Sequence, residues 1–128
     1  MSDVRNKLKS AKDLAGRLRR RFPDLVQAIN GNSAWSDSDI DAIERFAGIV
    51  SRSACKGSGL DAITYFQFIL EEYERGSGSV KNIIEVYFVC QLFLQISAEL
   101  TGRGWLLVPE KFKIVYVDFW GRPPFLQK

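Results

Sequence analysis

Histidine is absent from the 128 residues of this chain. Its absence removes the commonest general base, the commonest metal ligand and any histidine-based catalytic triad. Cysteine is limited to Cys55 and Cys90, which stand in no metal-binding spacing. Both sit among apolar neighbours, so buried free thiols are expected; a disulfide would need Cα atoms within about 7 Å, which spacing alone does not decide. Long apolar runs are lacking too. The longest, Ile83 to Ile96, is broken by Glu85, Gln91 and Gln95, and is too short and too polar to span a bilayer. No apolar core of a secretory signal is visible, and Asp3 and Asp13 argue against a transit peptide. The expectation is a cytoplasmic protein with no membrane partner.

Aromatic residues are plentiful: nine Phe, four Tyr and three Trp. They supply the apolar surface for one folded domain over residues 1–128 and argue against a disordered chain. Charge is distributed unevenly. Residues 1–21 carry eight basic residues against two acids, while the remainder carries ten against thirteen. The basicity therefore belongs to one element.

That element reads as a basic amphipathic helix over 1–21. Val4, Leu8, Ala11, Leu14, Ala15 and Leu18 recur at helical spacing, within an arc of about 120°. Arg5, Lys9, Lys12, Arg19 and Arg20 project on a roughly opposite arc. Gly16 costs about 1 kcal/mol of helix propensity, so the helix depends on docking its apolar stripe. Phe22-Pro23 interrupts it, and a short helix to about Ile29 follows, stopped by Asn30-Gly31.

A helical body is expected over 22–101. Ser36 reads as an N-cap, with Asp37 and Asp39 in the first turn and a Trp35–Ile40 staple. Ile40, Ile43, Ala47, Val50 and Ala54 form the buried stripe of that helix, which Gly57 ends. Leu60 to Arg75 predicts another helix, with Ser58 as cap and Ile63, Phe66, Leu70 and Tyr73 on one face, although Ile63–Ile69 also suits a strand. Gly76–Ser79 reads as a flexible connection. Val80 to about Thr101 reads as one central helix, packed on most sides. After Gly102-Arg103-Gly104 the period changes to two, and residues 105–120 predict a β-hairpin turning near Pro109–Lys111. The expected fold class is thus α+β: four to five helices with a C-terminal β-hairpin packed on the helical body.

Each motif that could carry chemistry has a plainer account. Asp37-Ser38-Asp39-Ile40-Asp41 opens like a calcium loop, but Ala42 replaces the required glycine and Gly48 the required glutamate. The glycine-rich stretches 57–59 and 76–79 lack the closing Lys-Ser/Thr of a phosphate-binding loop. Glu71, Glu72 and Glu74 read as an exposed acidic face rather than paired catalytic carboxylates. No metal, cofactor, catalytic residue or small-molecule substrate is indicated, and the chain is not read as an enzyme.

Two positive signals remain. The basic face of Arg5, Lys9, Lys12, Arg19 and Arg20 is either solvated, docked on the acidic body, or a contact for nucleic acid, another polyanion or an acidic protein; a membrane surface is the weaker reading, since the apolar face lacks aromatic anchors except Phe22. The apolar hairpin offers Phe112, Ile114, Val115, Tyr116, Val117 and Phe119 as a dimer interface, since a two-stranded ribbon cannot hide both faces. The function expected is a non-catalytic protein-interaction, assembly or regulatory factor acting as a homodimer. An accessory component of a larger nucleoprotein or phage-like assembly fits that expectation. The alternative is a nucleic-acid-binding module using the first helix.

Overall fold

In the computed structural model, which describes residues 2–30 and 39–126, the apolar stripe of the first segment forms the inner face of helix α1 (Ser2–Arg21). Ala11, Leu14, Ala15 and Leu18 are buried, whereas Leu8 of the expected stripe is exposed. Phe22 leaves the helix, and Pro23 opens a single 3-10 turn that leads into α2 (Val26–Asn30). Proline suits this position because the first turn has no use for its missing N–H. The proposed cap Ser36, with Trp35 and Asp37, lies outside the described residues, as does the side chain of Val4.

Helix α3 (Asp39–Lys56) buries Ile43, Ala47, Val50 and Ala54 as the spacing predicts, together with Phe46 and Ser51. It runs through the middle of the molecule, against α1, α2, α4 (Leu60–Arg75) and α6 (Ala98–Trp105). The strand alternative for Ile63–Ile69 is not realised. The buried face of α4 is Ala62, Phe66 and Ile69, one position off the expected stripe, and Ile63 is exposed. Rings join the elements: Phe22 meets Phe46, Phe46 meets Phe88, and Phe88 meets Phe112. Each fully buried Phe contributes roughly 2–3 kcal/mol through apolar area removed from water.

The segment read as one long helix is broken. Ser77 accepts a hydrogen bond from the Val80 N–H and caps α5 (Gly78–Ile83), so the expected flexible connection is a helix start. A π-helical turn, Ile84–Phe88, and a 3-10 turn, Val89–Gln91, follow. The chain then turns away from helix, with Leu92 extended and Phe93 at φ 66°. Ser97, also extended, precedes α6.

The C-terminal β-hairpin is not formed. Residues 98–105 are helical, and residues 110–120 form α7 (Glu110–Trp120). The described residues contain seven α-helices and no strand, so the fold is all-α rather than α+β. The physical reason is that, apart from Pro109 and the charges Glu110, Lys111, Lys113 and Asp118, every position from Trp105 to Trp120 is apolar, which leaves period-two alternation with little contrast. The buried positions are Val108, Phe112 and Tyr116, four apart, and that is helical spacing. Pro109 precedes the first turn, Glu110 lies in it, and Gly121 ends the helix at φ 86°, donating its N–H to the Val117 carbonyl at 2.7 Å.

Candidate functional site

The basic residues of α1 divide into two groups. One group is used within the fold. Arg17 pairs with Glu72 of α4 at 2.8 Å, Lys7 sits 4.8 Å over the Tyr87 ring, and Arg21 sits 4.9 Å over the Phe22 ring. Arg19 donates to the Asn30 Oδ1 at 3.0 Å and to the Asp39 carboxylate at 3.1 Å. It thereby ties the end of α2 to the first turn of α3, and its place is structural rather than on an open face. The other group is Arg5, Lys9, Lys12 and Arg20, all exposed and in no ion pair among the described residues. Four of the five cations expected on this face are therefore open to solvent.

A groove of about 450 Å³ lies between α3 and the turn after the 3-10 segment. Glu44, Arg45 and Arg52 of α3 face Gln91, Gln95 and Ile96 across it. Arg45 is held by the Ile29 and Asn30 carbonyls at 3.2 and 3.0 Å, where it satisfies the end of α2. Burial pushes the Glu44 carboxyl above its ordinary range; Asp41 adds to this and Arg45 opposes it. Ser51 at the floor is fully hydrogen-bonded. The groove joins both signs of charge, with Asp41 and Glu44 beside Arg45 and Arg52. Sequence reading passed over it, although Glu44, Gly48 and Arg52 recur every four residues opposite the buried stripe of α3.

The third surface is apolar. Of the six residues expected at a dimer interface, Phe112 and Tyr116 are buried inside the single chain, Val115 and Val117 are half-buried, and Ile114 and Phe119 are exposed. Phe119 is 62% exposed although it lies one turn beyond Val115 on α7. Its ring meets that of Trp120 edge-on at 5.0 Å. Trp120 is anchored by its indole N–H, which donates to the Cys90 carbonyl at 3.1 Å. After Gly121 the chain folds back, and the 3-10 turn Pro124–Leu126 packs on α6. Pro124 is buried there, whereas Phe125, Leu126 and the α6 residue Leu100 are exposed.

Among the described residues no group of three or more His, Cys, Asp or Glu side chains converges as a metal site. Cys55 and Cys90 are both free and buried, and burial pushes both thiols up from their ordinary values. No described helix is long and apolar enough to cross a membrane.

The profile of a family described as a domain of unknown function, DUF7674, matches residues 15–121. The chain belongs to this family. The DUF7674 match begins in the buried half of α1 and ends at the glycine that closes α7. It takes in the groove, Phe119 and Trp120, while Arg5, Lys9 and Lys12 precede it and Phe125 and Leu126 follow it. No curated protein and no solved structure matches the chain.

Proposed function

We propose that this DUF7674 chain is a non-catalytic interaction module that pairs with a second copy of itself through the apolar end of α7 and the turn that follows. The observation that carries the reading is Phe119, a large aromatic side chain held in water beside an anchored Trp120. It does not stand alone. Of the twelve large hydrophobic residues left exposed among the described residues, eight fall between Leu94 and Leu126. Exposed apolar residues gathered in one part of a soluble chain favour a protein contact. Phe and Trp are well suited to the centre of one, because a rigid ring buries much area for few frozen torsions.

A second copy is the favoured occupant on grounds of charge and symmetry. From Ile114 to Leu126 the sequence carries one acid, Asp118, and one base, Arg122. A two-fold axis passing near Trp120 would set Asp118 of each copy towards Arg122 of the other, and two-fold pairing is the commonest arrangement of soluble oligomers. The β-pairing expected for this segment plays no part; the contact would be helix against helix. A cytoplasmic setting goes with the two free thiols.

Sedimentation over a range of concentrations tests the reading. The wild type is expected to dimerise reversibly, Phe119→Lys to sediment as a monomer, and Leu8→Lys to behave as the wild type. Leu8 is nearly as exposed as Phe119 but lies on α1. A wild type that stays monomeric at high micromolar concentration, or a Phe119→Lys variant that still dimerises, overturns the proposal.

A further inference from the structure

We infer that the outer face of α1 is a sequence-independent binding site for the phosphate backbone of double-helical nucleic acid. The inference is independent of the self-pairing proposed above, since it rests on a different element. Arg5, Lys9, Lys12 and Arg20 fall within roughly 80° of the helix circumference at 100° per residue. Between Arg5 and Arg20 they extend over about 22 Å at 1.5 Å per residue. All four are exposed and unpaired among the described residues, whereas Arg17, Arg19 and Lys7 of the same helix are engaged by the body. Paired charges would have to give up a partner to bind a ligand; these four would give up only water.

Three features select the occupant. The row is long and narrow, running from Arg5 through Lys9 and Lys12 to Arg20, which suits a polymer with repeated charge. Its members include no aromatic side chain on which a base could stack, which disfavours single strands and base reading and leaves contact with phosphates. The apolar stripe of α1 is already buried in the core through Ala11, Leu14, Ala15 and Leu18. Among the described residues Leu8 is the exposed member of that stripe, and one side chain is too little apolar surface to sink into a lipid headgroup layer, as an interfacial membrane helix must. Gly16 lies between Lys12 and Arg20 on this face, and the Arg20 guanidinium lies 3.5 Å from where its Cβ would be. The charge of Arg20 is thus drawn along the row towards Lys12. Asp13 is the one acid on the margin of the face, next to Lys9 and Lys12 along the helix.

The test uses the full chain and four probes: a mixed-sequence DNA duplex, one of its strands alone, polyglutamate, and vesicles containing phosphatidylserine. Four phosphate contacts predict a slope of about −3.5 in log affinity against log salt, or roughly a hundredfold loss between about 50 and 200 mM. Lys9→Glu with Lys12→Glu should lower duplex affinity by an order of magnitude or more, and bring the slope down by about 2. Asp13→Asn should tighten binding. Both changes lie on exposed positions, so thermal melts that match the wild type will show that folding is intact. Duplex binding with these dependences supports the inference. Absence of duplex binding at low salt, binding indifferent to the double variant, or equal or tighter capture of the single strand, polyglutamate or the vesicles overturns it.

Discussion

The hydroxyl of Ser51, in the middle of α3, accepts the backbone N–H of Phe93 at 2.9 Å, forty-two residues along the chain. The same hydroxyl donates to the Ala47 carbonyl one turn back at 2.7 Å. Both Ser51 and Phe93 are buried, and among the described residues Phe93 is the non-glycine residue with a left-handed backbone. Such a conformation persists in an L-residue only where its surroundings fix it. Here the surroundings are that hydroxyl on the backbone N–H and the rings of Trp105 and Tyr116 against the side chain.

Removing that oxygen orphans a buried N–H as well as deleting a bond. Ser51→Ala is therefore expected to cost about 2 kcal/mol in a urea melt, more than a neutral surface hydrogen bond would. A loss of a few tenths of a kcal/mol would mean that water replaces the hydroxyl.

Glycine-to-alanine changes should have opposite signs at two helical sites. A Cβ on Gly104 would stand 2.5 Å from the Cys55 sulfur and 2.9 Å from a Phe93 ring carbon, so α6 would have to lift from α3. Gly104→Ala is expected to destabilise by about 1–3 kcal/mol. At Gly16 the added methyl meets only ordinary contact, and Gly16→Ala should stabilise by about 0.5–1 kcal/mol. Thermal melts of the two variants beside the wild type decide both.

The phenol of Tyr73 donates to the Glu85 carboxylate at 2.6 Å. This hydrogen bond, then burial, then the carboxylate charge push the phenol up to about 12. The folded value lies above the unfolded value of about 10, so folding favours the protonated phenol. Its contribution is complete below about pH 10 and is lost as pH rises towards 12. Denaturant melts from pH 8 to 12 should show stability falling over that window. Tyr73→Phe should lower the plateau by about 1 kcal/mol and flatten the fall; an equally steep fall would place the alkaline transition elsewhere.

Legibility of the fold followed contrast between neighbouring residues. α1, α3 and α4 alternate apolar and charged positions, and their bounds were readable to within a residue or two wherever the structure describes them. From Ile83 to Ile96 and from Trp105 to Trp120 charged residues are few, and periodicity has little to distinguish. The informative marks there were local: Ser77 and Ser97 before helices, Pro109 and Glu110 at a start, Gly121 at a stop. Gly104 misled because it reads as a helix breaker, while its role is to let α6 approach Cys55. On the candidate surfaces, the open cations of α1 followed from spacing alone. The engagement of Arg19 did not, because its partners Asn30 and Asp39 come together only in the folded chain.

The burial of the two thiols turns them into a pair of clocks. Cys55 lies beneath α6 at Gly104, and the Cys90 carbonyl is where Trp120 of α7 is anchored. A sulfhydryl reagent reaches neither while both helices are seated. Modification rates at the two sites would then time separate openings of the same molecule, one for each helix, with no probe added to the chain.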